Sequence, residues 1–283
     1  MEIRGQLINT RPAKSSNIFY LSVSKVKTFK DCKLKYKFSY IDRLPSKDWE
    51  HTIFGKFLHK VLEDFEKAII EGYSDSDNEL MKACFNSKDN EWRDKLSKDM
   101  KIEAHKIMCD YLNNRTSLIN LGELPKPIST EKSFNILVDD FLLINGVIDL
   151  IQEDFDGVLH VADYKTTKDK RFLKKDLFQL QTYAYVMCLE YPELELIRCS
   201  YVLLRHGFEK IKVNYTREEA MSIEKYFIER TEEMKAEQVF RPTPTPLCRY
   251  CNYLENCNSG KDFIECLDNK NGKIIAKFGE MDW

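Results

Sequence analysis

The 283-residue chain contains no apolar run approaching the roughly 20 residues that a membrane-spanning helix needs. Its first sixteen residues, Met1 to Ser16, contain no apolar core of the kind a secretory leader carries. Both absences lead to the expectation of a cytoplasmic protein with no membrane partner. The chain also lacks an excess of charge of one sign. Its 44 Lys and Arg nearly cancel 46 Asp and Glu, for a formal net charge of −2. Attraction to a polyanion would therefore have to come from a local basic patch. No internal repeat and no low-complexity linker divides the sequence, so a single domain over residues 1–283 is expected. The nine cysteines do not suggest a disulfide framework in a cytoplasmic chain; buried thiols and a metal site are the expectation.

The elements follow from periodicity. Ser22 or Ser24 caps a predicted helix running to about Tyr40. Phe54, Leu58, Val61, Leu62, Phe65 and Ile69 form one stripe of a helix over Phe54–Glu71 that ends near Gly72. A largely helical region follows to about Asn114, and Leu121–Pro127 reads as a connection. Three strands are expected at about Glu131–Val138, Phe141–Ile151 and Val158–Lys165. A helix over Lys174–Glu190 comes next, then a hairpin around Arg205-His206-Gly207. A last helix over Thr216–Glu237 has Thr216 and Glu219 at capping-box spacing. This order describes an α/β core with a helical insertion at about residues 72–127.

The chemistry concentrates on the second and third strands. Asp163 and Lys165 are two residues apart on a strand and share a face. Asp149 lies on the preceding apolar strand. A three-residue loop Phe155-Asp156-Gly157, with Gly157 left-handed, sets Asp149 opposite Asp163 on that face. A two-residue Asp156-Gly157 turn would send Asp149 to the other face unless a bulge corrected it. Two carboxylates beside an ammonium are what metal-assisted phosphodiester hydrolysis needs; a surface ion pair on an ordinary strand is the bland alternative.

Near the C-terminus, Cys248, Cys251 and Cys257 crowd a stretch that follows Pro242, Pro244 and Pro246. Three thiols on irregular backbone suggest a metal or cluster site short of one ligand. Cys32 is the best candidate for the fourth and Cys266 its nearest rival. Cys84, Cys109, Cys188 and Cys199 sit in helix or strand patterns and read as core thiols. Zinc and an iron–sulfur cluster both accept four thiolates, so spacing alone leaves the two open.

Together these features resemble the RecB-like branch of the PD-(D/E)XK nucleases in its iron–sulfur form, and within it the CRISPR-associated RecB-like exonucleases. Five stretches carry the resemblance in order. They are Ser22-Val-Ser24 to Cys32 and Tyr36; Gly55-Lys-Phe-Leu-His59; Gly146-Val-Ile-Asp149; Asp163-Tyr-Lys165; and Gln179-Leu-Gln-Thr-Tyr183. The three-cysteine tail completes it. The resemblance implies a restriction-endonuclease-like core, a central mixed sheet flanked by helices, with a cysteine-ligated cluster joining the N- and C-terminal regions. It implies that His59, Asp149, Asp163 and the carbonyl of Tyr164 bind Mg²⁺ or Mn²⁺, and that Lys165 is the catalytic lysine. Gln179 and Tyr183 match a motif that contacts DNA or supports the site. Cys32, Cys248, Cys251 and Cys257 match the ligands of a [4Fe–4S] cluster. The family role would be a DNA exonuclease acting on single strands or ends, with partners in CRISPR adaptation or in recombination and repair. No Gly-rich Lys-Ser/Thr phosphate loop accompanies it, so a stand-alone nuclease is expected.

Each assignment has a plainer counterpart. His59 beside an apolar stripe is ordinarily a boundary residue, Gln179 and Tyr183 share a helix face that packs, and Glu131 is either an extra site acid or a strand-edge residue. Lys168, Lys170, Arg171, Lys174 and Lys175 follow Lys165 against one acid, Asp169, and form either a DNA-tracking run or a solvated face. Tyr36, Phe38, Tyr40, Tyr250 and Tyr253 would stack on bases or, more ordinarily, fill the core. A non-catalytic DNA-binding or docking module of the same fold and a zinc protein with an unrelated hydrolase site are the competing readings.

Overall fold

The computed structural model describes residues 5–9, 17–73, 76–171, 173 and 176–279. One long strand organises it. β4 (Leu142–Glu153) pairs along its whole length with β3 (Lys126–Val138) on one side. Its other side is shared. Near its start, Leu142–Ile144 pair in parallel with β2 (Phe19–Leu21); near its end, Leu150–Glu153 pair antiparallel with β5 (Leu159–Lys165). Neither neighbour takes Asn145–Asp149 on this second edge, which leaves a window in the interior of the sheet. β5 continues in parallel to β6 (Leu196–Leu203), which pairs antiparallel with β7 (Glu209–Thr216). β1 (Gly5–Leu7) closes the far side against β3. The result is a seven-stranded mixed sheet, as expected. β1 and β2 were not anticipated, because three-residue strands carry too short a pattern to register.

The chain divides into two compact units. One comprises Met1–Leu21 and Asp48–Ile228, the other Ser22–Lys47 and Glu229–Trp283. The first holds the sheet. Alternation assigns its two faces: Leu150, Ala162, Tyr164 and Val202 pack with α3 (Glu50–Ile70), α4 (Asp77–Glu91) and α5 (Lys98–Leu121). The expected stripe of α3 is there, with Phe54, Leu58, Val61, Leu62 and Phe65 fully buried. On the other face lies α6 (Phe178–Glu190), buried almost all round, so it shows no amphipathic period. Its start at Phe178 is later than the expected Lys174. The expected final helix has its capping box at Thr216 and Glu219, but Ser222 divides it into α7 (Arg217–Met221) and α8 (Ile223–Ala236).

The second unit is built around aromatic side chains. Ser22 caps α1 (Val23–Asp31), accepting from the Lys25 N–H. The expected helix to Tyr40 is interrupted at Cys32, whose backbone is extended (φ −161°, ψ 109°). Its sulfur caps the short helix α2 (Lys33–Tyr36) by accepting from the Lys35 N–H, and a π-turn follows over Lys37–Ile41. Tyr36 packs edge-on against Phe29 and stacks on Phe240, and Phe38 packs against Tyr253. Tyr36 and Tyr253 are buried, so they serve the core; Tyr250 alone of the five aromatics is largely exposed. The unit ends in α9 (Asn258–Gly279).

Candidate active site

The register of the β4–β5 hairpin decides whether two acids meet. Its loop is the three-residue one, Phe155-Asp156-Gly157. Gly157 has φ +77° and donates to the Asp154 carbonyl, and the Asp154 N–H donates to Val158. The ladder ends at Leu150 paired with Ala162, so Asp149 and Asp163 come next, opposite each other. There the strands part. The Tyr164 N–H, which would bond to β4 backbone, instead donates to Asp149 Oδ2 at 2.9 Å. A strand residue turns its N–H and C=O to the same edge, so the Tyr164 carbonyl also faces the window.

Helix α3 brings the histidine. Gly55 lets it approach the end of β5: a Cβ there would lie 3.1 Å from Thr166 Oγ1. One turn further on, His59 Nδ1 lies 3.4 Å from Asp149 Oδ2, with its ring edge-on to Tyr164. Helix α6 brings the amide and the phenol. Gln179 Nε2 donates to Asp163 Oδ1 at 2.9 Å, and Gln179 Oε1 accepts from Lys165 Nζ at 3.0 Å. The Tyr183 hydroxyl accepts from Gln179 Nε2 at 2.7 Å and donates to the Val147 carbonyl, in the window of β4, at 2.8 Å. Lys165 Nζ is 2.6 Å from Asp163 Oδ2, an ion pair without hydrogen-bond alignment. His59, Asp149, Asp163, Lys165, Gln179 and Tyr183 therefore converge on one opening.

Two glycines and a phenylalanine keep this assembly tight. Phe134 lies over Gly146, where a Cβ would come within 2.6 Å of its ring, and it meets Tyr183 edge-on. The Gly146-Val-Ile-Asp149 motif thus needs its glycine for packing, not for a turn.

The electrostatics favour a cation. Burial, and next the charge of Asp163, push the Asp149 carboxyl well above the usual carboxylate range. Burial lowers the His59 imidazole, so it stays neutral and able to donate a lone pair. Glu131, open between two roles on sequence alone, joins them. His59, Glu131 and Asp149 each offer a ligand atom, all within 4.8 Å of one another; Asp163 is not in that group. An imidazole nitrogen with carboxylate oxygens suits Mg²⁺ or Mn²⁺. Asp163 Oδ2, buried without a hydrogen bond, has a lone pair to spare. The residues fit a divalent ion.

Other expectations fare differently. Arg171 is held by Asp169 and Lys170 by Glu209, so much of the basic run is neutralised in place. Lys168 is exposed and no described residue pairs with it, whereas Lys174 and Lys175 lie outside the described residues. Cys32, Cys248, Cys251 and Cys257 line one cavity with Leu34, Phe38, Pro242, Pro244 and Leu254; Cys266, the rival fourth ligand, does not line it and is exposed. Three of the four core-thiol readings stand, with Cys84, Cys188 and Cys199 buried, but Cys109 is exposed because it lies on the outer side of α5. A Ser200–His160–Asp154 row has the order of a hydrolytic triad, at 2.9 Å each way. His160 and Ser200 are fully buried, so it is sealed from any substrate and ties β5 to β6.

Comparison with known proteins finds relatives in sequence and in fold. Among curated relatives, an ATP-dependent helicase/deoxyribonuclease subunit of Streptococcus pyogenes serotype M6 is 25% identical over 155 residues, 53% of this chain and 14% of that protein. Its counterpart from Streptococcus agalactiae serotype Ia is 26% identical over 180 residues, 59% of this chain and 16% of that protein. The chain thus spans a small fraction of the length of these relatives. A crystal structure of a candidate exonuclease from Eubacterium rectale has a TM-score of 0.50 at 12% identity, covering 83% of this chain and 87% of that one, a likeness of fold alone. The profile of the PD-(D/E)XK nuclease superfamily matches residues 20–258. That span takes in every element lining the β4 window, and the chain belongs to the PD-(D/E)XK nuclease superfamily.

Proposed function

We propose that the chain is a DNA exonuclease that hydrolyses phosphodiester bonds with Mg²⁺ or Mn²⁺, acting on DNA ends or single strands. Nucleases of this superfamily use divalent metals. The observation that carries the reading is the meeting of Asp149 and His59 with the Asp163–Lys165–Gln179–Tyr183 network in one gap of the sheet. A bound divalent ion would polarise the scissile phosphate and make an attacking water more acidic. His59 and Asp149 would hold that ion, with Asp163 and the Tyr164 carbonyl beside it. Lys165, tied by Asp163 and Gln179, presents an ammonium where negative charge develops on the phosphate and orients the attacking water. Tyr183 fixes Gln179, and so fixes the pair that aims Lys165.

The four cysteines support a [4Fe–4S] cluster as a structural element. Backbone N–H groups point at three of the sulfurs: Lys35 and Thr243 at Cys32, Thr245 at Cys248, and Gly260 at Cys257, over 3.3 to 3.5 Å. Such donors stabilise thiolates and tune clusters. The four thiols line one mostly apolar cavity, a setting that shields a metal cluster from water. The curated relatives are named as subunits of an ATP-dependent helicase/deoxyribonuclease; DNA recombination and repair on one hand and CRISPR adaptation on the other are the two roles open to the chain.

The test is a polarity-resolved digestion of end-labelled single- and double-stranded DNA with Mg²⁺, Mn²⁺ or EDTA. Cleavage from ends that vanishes with EDTA and with Lys165→Ala, while DNA binding survives, is expected. A fully active Asp163→Ala protein, or binding without cleavage by the native chain, refutes the catalytic reading. Brown protein carrying iron and acid-labile sulfide, lost in Cys248→Ser, is expected; colourless protein with one zinc per chain overturns the cluster.

A further inference from the structure

We propose that Glu131 is a direct ligand of the divalent ion and completes a His59–Glu131–Asp149 half-shell; this rests on the metal-dependent reading above. Thr130 pairs with Leu150 and Lys132 with Ile148, so the register makes Glu131 the cross-strand partner of Asp149 and places its side chain over the same opening. The residue is half-buried, and no described residue forms a hydrogen bond or ion pair with its carboxylate. Lys60, whose charge reaches Glu131, is engaged by Glu63. Its backbone is left-handed (φ +48°), a conformation uncommon for a residue other than glycine, asparagine or aspartate. A half-buried, unpaired carboxylate facing another acid is unfavourable unless a cation neutralises both.

The distances suit one ion. Two donors on a single ion lie at most two bond lengths apart, about 4.2 Å for Mg²⁺ and about 5 Å for Ca²⁺. The ligand atoms of His59, Glu131 and Asp149 all lie within 4.8 Å of one another, with His59 Nδ1 and Asp149 Oδ2 already 3.4 Å apart, so small side-chain adjustments bring the three onto one Mg²⁺ or Mn²⁺. The arrangement also divides the labour. Glu131, Asp149 and His59 take the ion from the β3 and α3 side, which leaves Asp163 free to hold Lys165, the partner it already has.

The experiment is Mn²⁺ titration of the 283-residue chain by calorimetry and by the electron paramagnetic resonance of free Mn²⁺, without DNA, on native, Glu131→Gln, Glu131→Asp and Asp149→Asn proteins. Thermal melting in EDTA runs alongside. Glu131→Gln is expected to weaken Mn²⁺ binding tenfold or more, Glu131→Asp to restore part of it, and the metal-free melting temperature of Glu131→Gln to stay level or rise. Glu131→Gln binding Mn²⁺ within twofold of the native chain while Asp149→Asn loses it overturns the role of Glu131 and leaves the nuclease reading intact. If Asp149→Asn also binds normally, the metal-dependent reading itself falls. A metal-free melting temperature that drops steeply in Glu131→Gln marks Glu131 as a structural strand residue and counts against the proposal.

Discussion

Replacing Gly146 by alanine tests how the site is held. Gly146 has no positive φ, so alanine fits the backbone, and loss of unfolded-state freedom alone would stabilise the protein by about 0.4–1 kcal/mol. The space decides otherwise. The added Cβ would sit 2.6 Å from one atom of the Phe134 ring and 2.8 Å from another, inside any real contact. Phe134 is buried and cannot swing into solvent, so either its ring or the β4 backbone must shift. Overpacking of this kind costs about 1–3 kcal/mol, and the net expectation is a loss of up to about 2.5 kcal/mol. For a unit of this size that lowers the melting temperature by about 2–4 °C per kcal/mol. The ring also touches Tyr183, so the disturbance reaches Gln179, Asp163 and Lys165, and nuclease activity should fall more than stability does. Phe134→Leu makes room. In the double variant the two defects should cancel in part, giving a coupling free energy of about 1 kcal/mol or more. Melting and cleavage assays on the four proteins of the cycle decide it. A Gly146→Ala protein as stable and active as the native one, or additive effects in the double variant, refutes the packing argument.

Tyr183→Phe keeps the ring and removes the hydroxyl that serves Val147 and Gln179; a loss of about 1–3 kcal/mol in chemical denaturation is expected, with cleavage reduced and DNA affinity unchanged. Two carboxylates should give opposite pH limbs. Burial alone would raise the Asp154 carboxyl, but His160 and Arg198 hold it well below the usual range. Its contribution is therefore complete above the unfolded value of about 3.9 and is lost as pH falls through the native one. Asp154→Asn should flatten that acid limb in melting curves, and an unchanged limb would count against it. Asp149 is raised instead, so in metal-free protein its ionisation removes stability as pH rises above about 3.9 towards the native value. Asp149→Asn should melt higher than the native chain at neutral pH in EDTA, and a lower melting temperature there would contradict the assigned burial cost.

The sheet and its acids were legible because strands with period two and one left-handed glycine determine a register. Asp149 faces Asp163 for reasons that can be read from Phe155-Asp156-Gly157. Less was legible where tertiary contacts override local pattern. Cys32 breaks what periodicity reads as one helix: its backbone turns extended, its sulfur caps the next helix, and it lines the cysteine cavity. The helix carrying Gln179 is buried on all sides, so its apolar period marks no face. Glu131 could not be placed because its role depends on pairing with Asp149 across strands and on an unusual φ that no residue type announces. The basic run, a DNA-tracking or a solvated face on sequence alone, is partly spent on Asp169 and on Glu209, the second of them 39 positions after Lys170.

The gap in β4 has a consequence for the order in which the site is assembled. Its two sides are supplied at different times during synthesis. β2 leaves the ribosome well before its partner in the sheet, since Leu142–Ile144 follow more than a hundred residues later. The local hairpin then adds β5 almost at once, whereas Gln179 and Tyr183 on α6 arrive last. Before that helix docks, Lys165 has no Gln179 to aim it and the Val147 carbonyl has no hydroxyl. A nascent chain therefore carries its acids before their partners, and on the proposed reading cleavage would wait for the helix that closes the opening.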